Sequence, residues 1–404
     1  MALLPTSFFV TPGSPDFSDL PWHLPLTEWQ GSCSRLEEMQ RGLSRHPVVF
    51  VNYGGQIFAL KELPPEDAKK EFDLLCQIEQ LRVPAVACIG TVNTHTTNGK
   101  SSVLITHFLE RSIPYRSLFM HNALTRYRTH LLDAMAGLLV QLHVAGVYWG
   151  DCSLSNTLFR RDAGALQAYL VDAETAETYT PHLSPTLRCQ DLEIMEENLD
   201  GEIQDLAAAG DLKAEIFPLI GHIGAYVRLR YQKLWDEIMH EQLIAENERY
   251  RIQERTHALN ALGYSVRRIE MLPSEKGDKL RLRAMVTDRH YHRDHLYGLT
   301  GLEAEERQAE QMMNEILEIK GALSSKNNRS VPLSVAARYW LENCYQPVLK
   351  ILECLLEAKK TTEEYNSPNE LYCQVLEHKW YLSERAHHDI GHNAAAEDFI
   401  HQFA

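Results

Sequence analysis

Gly146-Val-Tyr-Trp-Gly-Asp151-Cys-Ser-Leu-Ser-Asn156-Thr-Leu-Phe159, followed closely by Ala168-Tyr-Leu-Val-Asp172-Ala-Glu174, is the stretch on which the reading of this chain turns. An Asp comes first, an Asn stands five positions on, and an apolar run delivers a second Asp. Oxygen donors in this order suit one division of labour. In such a division Asp151 would accept or orient an acceptor hydroxyl, while Asn156 and Asp172 would hold magnesium against nucleotide phosphates. That ion prefers hard oxygen ligands, keeps several waters and takes only one or two protein carboxylates beside the phosphates. Singly, an Asp-x-x-x-x-Asn or an Asp after Leu-Val carries almost no information. Together, with Asn156 and Asp172 sixteen residues apart across a hairpin expected at Arg160–Gly164, they are specific.

Upstream, Pro47-Val-Val-Phe-Val-Asn-Tyr-Gly-Gly-Gln-Ile-Phe-Ala-Leu-Lys61-Glu-Leu63 places two β-rich runs around Gly54-Gly55, a hairpin signal. Pro64-Pro65 then starts a helix with Glu66 and Asp67 in its first turn and an apolar stripe through Phe72, Leu75, Ile78 and Leu81 or its neighbour. Glu71 lies on that helix ten positions past Lys61, placed to pair with it and hold its ammonium toward phosphates. Either charge alone reads as an ordinary solvent-facing residue. No Gly-x-Gly-x-x-Gly loop precedes Lys61; Gly42-Leu-Ser-Arg-His-Pro47 stands there, read either as a shortened phosphate cover with Ser44 and Arg45 as donors or as a plain turn. Residues 84–110 predict two strands around a turn at Thr91–Ser101, the second leading to a hinge where backbone groups near His107 and Leu109 would meet adenine. Residues 122–145 predict a helix that Gly146 ends. His143 on it reads as packing.

These elements resemble the protein-kinase-like superfamily over about residues 42–180. Phe58-Ala-Leu-Lys61 is similar to the strand whose Lys neutralises the α- and β-phosphates, and Leu142 to Asp151 resembles the lead into the catalytic loop. The resemblance implies an α+β, bilobal kinase-like fold with ATP and magnesium as cofactors. It casts Asp151 and Lys61 as catalytic, Lys61, Glu71, Ser44, Arg45, His107 and Leu109 as nucleotide-binding, and Asn156, Asp172 and Glu174 as metal ligands. There are departures. Trp149-Gly150 replaces the His-Arg before the catalytic Asp, and Ala173-Glu174 replaces the Phe-Gly after the metal Asp. Gly-Asp at this position resembles the small-molecule and lipopolysaccharide-core kinase branches. Ser153 and Ser155 read as internal phosphoacceptors or as turn formers. The C-terminal half resembles a domain of unknown function, family 4032, through Leu376-Glu-His-Lys-Trp-Tyr-Leu-Ser-Glu-Arg385, Leu299-Thr-Gly-Leu302 and the Arg255 to Gly263 segment. That family brings no chemistry with it.

The 404 residues, 44% of them hydrophobic, suffice for two or three domains, and the formal charge of −15 disfavours nucleic acid and acidic lipid as partners. No apolar run reaches a membrane span, the N-terminus lacks the charged start of a secretory signal, and eight cysteines without a Cys-x-x-Cys pair point to a reducing cytoplasm with buried thiols. Residues 1–41, rich in Pro and aromatics, read as an extended strap that tucks Trp22 and Trp29 onto the main body, with docking of a partner as the alternative.

The expected organisation is a kinase-like domain at 42–250, split near 110, and a C-terminal α+β domain at 251–404. In the latter half, helices are expected at 189–215, 226–262, 300–320, 332–360 (kinked at Pro347) and Leu371–Arg385, with two strands in 263–287. The Arg and aromatic residues at 228–235 favour a solvated helix over a nucleic-acid face. His290 and His292 would share one face of a strand with His295 reaching in from the turn, read as a surface cluster rather than a zinc site, and His388-Asp-Ile-Gly-His392 is a poor match to a two-His zinc helix because Gly391 weakens it. The C-terminal apolar stripes serve either a core or a homodimer. The acceptor would be a hydroxyl of a small molecule or saccharide, or of a protein. A nucleotide-binding pseudokinase that docks a partner is the rival reading.

Overall fold

The computed structural model describes residues 7–39, 45–96, 99–120, 127–180, 183–210, 222–244, 248, 250–273, 280–353 and 367–403. It divides into two compact units, Met1–Phe159 with Ala168–Gln232, and Arg160–Gln167 with Lys233–Ala404. The short piece 160–167, inside the kinase-like stretch of sequence, thus belongs with the C-terminal unit, and the later boundary falls after 232 rather than near 250.

In the N-terminal unit, β1 (Ser7–Val10), β2 (Leu36–Glu37), β3 (Val48–Tyr53), β4 (Gln56–Leu63), β5 (Cys88–Thr96) and β6 (Gly99–His107) form an antiparallel sheet in the order β1-β5-β6-β4-β3-β2. Gly54 and Gly55, both at positive φ, make the two-residue β3–β4 turn. The strands around 91–101 run on to Thr96 and resume at Gly99, so the turn is much shorter than the sequence suggests. Residues 1–41 are more than a strap, because β1 and β2 become the two edges of the sheet. Between them Phe17, Trp22, Leu26 and Trp29 pack against Val49, Val51, Phe58 and Leu60. Trp22 and Trp29 are buried edge to face, 5.4 Å between centroids, and their indole N–H groups donate to the carbonyls of Phe17 and Leu24. With Phe58 and Leu60 turned to that layer, the strand period of two sends Lys61 to the opposite face.

Helix α1 (Pro65–Gln80) follows immediately, with Pro at its first position. Its buried stripe is Ala68, Glu71, Leu74, Leu75 and Ile78; Leu81 lies exposed beyond its end. Further on come β7 (Ile113–Pro114), α2 (Tyr115–Met120), α3 (Arg128–Val144), β8 (Val147–Tyr148), β9 (Thr157–Asp162), β10 (Ala165–Leu170), β11 (Glu177–Thr178), α4 (Pro185–Ala208) and α5 (Ile223–Met239). The single helix expected over 226–262 is in fact two, α5 and α6 (Tyr250–Ala261), with strand β12 (Gln242–Ile244) between them.

In the C-terminal unit, β12 pairs with β14 (Leu280–Val286), which pairs with β13 (Val266–Pro273), all antiparallel. The histidine cluster lies on α7 (Tyr291–Thr300), not a strand: His290 precedes it, largely buried, and His292 is half-buried with Nδ1 2.8 Å from Glu306 Oε1. The surface-cluster reading therefore fails for these two. His388 and His392 fall on either side of a helix break at Gly391, φ 80°, and share no helix face. Helix α8 (Glu306–Asn327), α9 (Leu333–Trp340) and α10 (Gln346–Ile351), with helices Pro368–Ala386 and His392–Phe403, enclose a core around Met312, Ile316, Trp340, Val348, Tyr372 and Phe399. Pro347 has no amide for the helix ladder, and directly before it the chain widens into a π turn at Leu341–Tyr345. Among the described cysteines all are free, and Cys189 is exposed rather than buried.

One carboxylate organises this helical core. Glu315 accepts from Trp340 Nε1 (2.9 Å) and the Tyr372 hydroxyl (2.7 Å), and its other oxygen lies 2.7 Å from His392 Nε2. Burial opposes a charge on His392, but Cys344 and Glu315 outweigh it and push its pKa up to about 9 from 6.5. A raised imidazole pKa contributes stability that is complete below the unfolded value and fades as pH rises through the folded one. Urea denaturation of the full chain should therefore show the C-terminal unit losing on the order of 1–2 kcal/mol between pH 6.5 and pH 9, after allowance for solvent screening. His392→Gln should abolish that slope.

Candidate active site

Strand β4, helix α1 and the segment after β10 converge on one ammonium. Lys61 Nζ lies 3.0 Å from Glu71 Oε2, 2.8 Å from Asp172 Oδ2 and 3.6 Å from Glu174 Oε2. Asp172 is 111 positions away from Lys61 in the chain. Glu71 is almost fully enclosed, because it occupies a position in the apolar stripe of α1. Burial, then repulsion from Asp172, pushes its pKa up to about 7 against the pull of Lys61. Burial works against the Lys61 charge, but Glu71 and Asp172 hold its pKa above the ordinary lysine value. One cation thus faces three carboxylates, and the surplus is negative.

One oxygen from each of Glu71, Asp172 and Glu174 lies within 4.8 Å of the others. An all-carboxylate set of this size fits a hard divalent cation such as magnesium and lacks the imidazole or thiolate that zinc prefers. Glu174 is further tied to the site by His46 Nε2 at 3.5 Å and by Lys70 Nζ, which donates to its carbonyl at 3.2 Å. The Glu174 amide donates to Asp172 Oδ1 at 3.1 Å, fixing the turn that presents both acids.

Asp151 stands in a second cluster. Asn156 Nδ2 donates to its Oδ2 at 3.1 Å and to its carbonyl at 3.1 Å, Asn198 Nδ2 donates to its Oδ1 at 3.1 Å, and the exposed Arg45 guanidinium lies 3.2 Å from Oδ2. Arg45 therefore contacts the candidate base in this structure. Ser44, named with it in the sequence, lies outside the described residues. At the strand end, the His107 amide donates to Ala87 O, the Phe108 amide to Ile57 O, and the Leu109 carbonyl accepts from Ser112, so these backbone groups serve the fold. The His107 ring packs edge to face on Phe58, and Leu109 is buried. Ser153 and Ser155 hydroxyls lie 3.2 Å apart and the Asn156 amide donates to Ser153 Oγ, a turn-forming arrangement.

Three residues that sequence reasoning passed over hold the loop. The buried Asp191 on α4 accepts the amides of Trp149 (2.8 Å) and Gly150 (2.9 Å) and lies 3.0 Å from His143 Nε2. Burial lowers the His143 pKa below the ordinary histidine value. A neutral ring donating from Nε2 to Asp191 leaves Nδ1 to accept from the Tyr231 hydroxyl at 2.8 Å. Asn198 also donates to Cys152 O at 3.1 Å, and Glu202 accepts the amides of Leu154 (2.7 Å) and Ser155 (2.9 Å). Spacings of seven and four put all three on one helix face. The polar interruptions beside the stripe Leu192, Met195, Leu199 and Ile203 were the available signal. Gly150, φ 78°, is required where it stands, since a Cβ there would come within 3.0 Å of Thr175 O.

Removing Asp191 would leave two enclosed amides and an imidazole without their acceptor. Asp191→Ala should cost the N-terminal unit about 3–5 kcal/mol in urea denaturation. Asn198→Ala, which leaves Asp191 in place, should cost less than about 1.5 kcal/mol.

Residues 56–209 match the lipopolysaccharide kinase (Kdo/WaaP) family, and residues 233–404 match a domain of unknown function, DUF4032. No curated protein matches the chain. A solved structure described as WaaP in complex with acyl carrier protein is similar at 15% identity, over 52% of this chain and 92% of that one, with a TM-score of 0.32. No helix among the described residues is long and apolar enough to cross a membrane. The chain thus joins a segment similar to the lipopolysaccharide kinase (Kdo/WaaP) family to a segment similar to DUF4032.

Proposed function

We propose that the protein transfers the terminal phosphoryl group of ATP to a hydroxyl of a saccharide or related small-molecule acceptor, with magnesium. The observation that carries this reading is the meeting of Lys61, Glu71 and Asp172 on one ammonium, from three elements distant in sequence. The family match makes a sugar hydroxyl the favoured acceptor class.

In this reading Glu71 fixes the Lys61 ammonium, which neutralises phosphate oxygens of the bound nucleotide. Asp172, with Glu174 and Asn156, would hold magnesium, and the ion would supply charge neutralisation on the phosphates being separated. Asn156 and Asn198 aim the Asp151 carboxylate so that it accepts the proton of the attacking hydroxyl. The acceptor oxygen bonds to the γ-phosphorus as the bond to the bridging oxygen breaks, and ADP leaves. Little of this is covalent chemistry by the protein; positioning and charge neutralisation dominate. Arg45 lies against Asp151, so acceptor entry requires that guanidinium to swing aside, toward the phosphates where its planar donors are useful. A binding-only role gives no physical reason for two amides to orient Asp151, which favours transfer over mere nucleotide sensing.

The decisive measurement separates binding from turnover in the full chain. Asp172→Ala should lose magnesium-dependent thermal stabilisation by ATP. Asp151→Asn should keep that stabilisation and lose ATP-dependent phosphorylation of saccharide extracts by on the order of 10²-fold or more. Identical behaviour of wild type and Asp172→Ala would sink the assignment, while stabilisation of wild type without turnover on any acceptor would favour a sensor.

A further inference from the structure

Asn156 and Asp172 are the two roots of one hairpin. Asn156 immediately precedes β9, Asp172 follows β10 by two residues, and the Val171 amide donates to the Asn156 carbonyl at 3.1 Å, closing the base. Ala163 and Gly164, both at positive φ, form the tip. The outer part of this hairpin, Arg160–Gln167, belongs to the C-terminal unit, and within that unit its polar groups are gripped in detail.

Asp162 is buried, and its two oxygens accept the amides of Arg307 (3.2 Å) and Gln308 (2.9 Å) in the first turn of α8. The side chain of Gln308 is fully engaged: Oε1 accepts the Glu305 amide, and Nε2 donates to Arg161 O and to Glu370 Oε2, both at 3.0 Å. Glu370 Oε2 in turn accepts the Ala163 amide at 2.8 Å. Arg160 lies 3.5 Å from Glu305, and Arg289 donates to Gln167 Oε1 at 3.1 Å. Gln308 and Glu370 are each only 1% exposed. A hairpin needing only its own ladder would not require a helix N-terminus and two enclosed side chains to hold its tip. The bonds reach both strands: Asp162 and Arg161 on the outgoing one, Gln167 on the returning one.

We propose that Asp162, Gln308 and Glu370 are positioning residues for the metal site: by fixing the hairpin tip, the DUF4032-family unit sets the placement of Asn156 and Asp172 at its roots. The inference rests on the reading that these two residues hold magnesium. The coupling runs along the two strands of the hairpin, which are continuous in the chain with both roots, so a loosened tip lets the roots shear against each other. The second half of the chain then has a role in the reaction without supplying a reacting group.

The test uses the full chain and a fluorescent ATP analogue, titrated with Mg²⁺ at fixed nucleotide concentration. Asp162→Ala and Gln308→Ala should raise the Mg²⁺ concentration for half-maximal binding by about tenfold or more, as loss of groups behind a metal's ligands commonly does. Asp162→Asn, which retains one acceptor oxygen, should show a smaller shift. Binding of the analogue without Mg²⁺ should be unchanged in all three. His392→Gln, which weakens the C-terminal core without touching the hairpin, should leave the Mg²⁺ dependence as in wild type. Variants that retain their melting transition and the wild-type Mg²⁺ dependence overturn the inference, and so does an equal shift in His392→Gln. Should Asp162→Ala fail to fold, Gln308→Ala and Asp162→Asn decide. A wild-type chain that binds no Mg²⁺-nucleotide overturns the functional reading itself, and the inference with it.

Discussion

A single ammonium shared between a helix carboxylate and a carboxylate beyond a distant hairpin constrains most of the N-terminal unit. Glu71 sits in the apolar stripe of α1, where an unpaired charge would cost several kcal/mol, so the helix can dock only where Lys61 reaches it. Lys61 points there only because Phe58 and Leu60 on the same strand face the aromatic layer of residues 17–29. Asp172 must then arrive from the far side to share the same ammonium. Pairs of this kind stabilise little relative to a hydrocarbon core, but removing one partner of a buried pair is strongly destabilising because it leaves an uncompensated charge. Three carboxylates then share one ammonium at this spot, a donor set that suits a hard divalent cation.

The loop from Trp149 to Asn156 illustrates a second constraint. Irregular backbone inside a protein must find acceptors for its amides, since a buried unpaired N–H costs about as much as a lost hydrogen bond. Here the acceptors are carboxylates, each spanning two consecutive amides: Asp191 takes 149 and 150, and Glu202 takes 154 and 155. The device recurs in the C-terminal unit, where Asp162 takes 307 and 308 and Glu306 takes 292 and 293. In the last two cases the amides open a helix, so the helix dipole adds to the attraction. Burial pushes Asp162 up to about 7, with Glu305 adding repulsion and Arg289 and the two amides opposing it. The protein tolerates that because each oxygen has a fixed donor.

Local signals were legible wherever a few neighbouring residues determine the outcome. The β3–β4 turn followed from Gly54-Gly55, the start of α1 from Pro64-Pro65, the end of α3 from Gly146, and the hairpin between Asn156 and Asp172 from Arg160–Gly164. The illegible parts were those in which solvent-loving residues are used internally. Asp191, Asn198 and Glu202 look like the polar side of an ordinary helix, and nothing local reveals that the loop facing them lacks acceptors. His290 and His292 suggested a surface because histidines alternating with charges usually lie there; Glu306, fourteen positions beyond His292, draws that residue inward. The chain over 226–262 reads as one helix by composition, yet β12 forms inside it because β14, far downstream, offers an edge to pair with.

The sequence by itself determined the order of the chemical parts: a strand lysine, a helix glutamate, an aspartate and asparagine five apart, and an aspartate after an apolar strand. Spacing and turn chemistry are short-range properties, so one chain suffices to read them. Only the tertiary structure decided that Lys61, Glu71, Asp172 and Glu174 share one small volume, that Arg45 rests on Asp151, and that the hairpin tip belongs to the other unit. Those outcomes depend on partners that lie far apart in the chain. A charged side chain goes inside only when a specific partner from elsewhere in the chain removes the cost, and a linear pattern does not encode which partner that is.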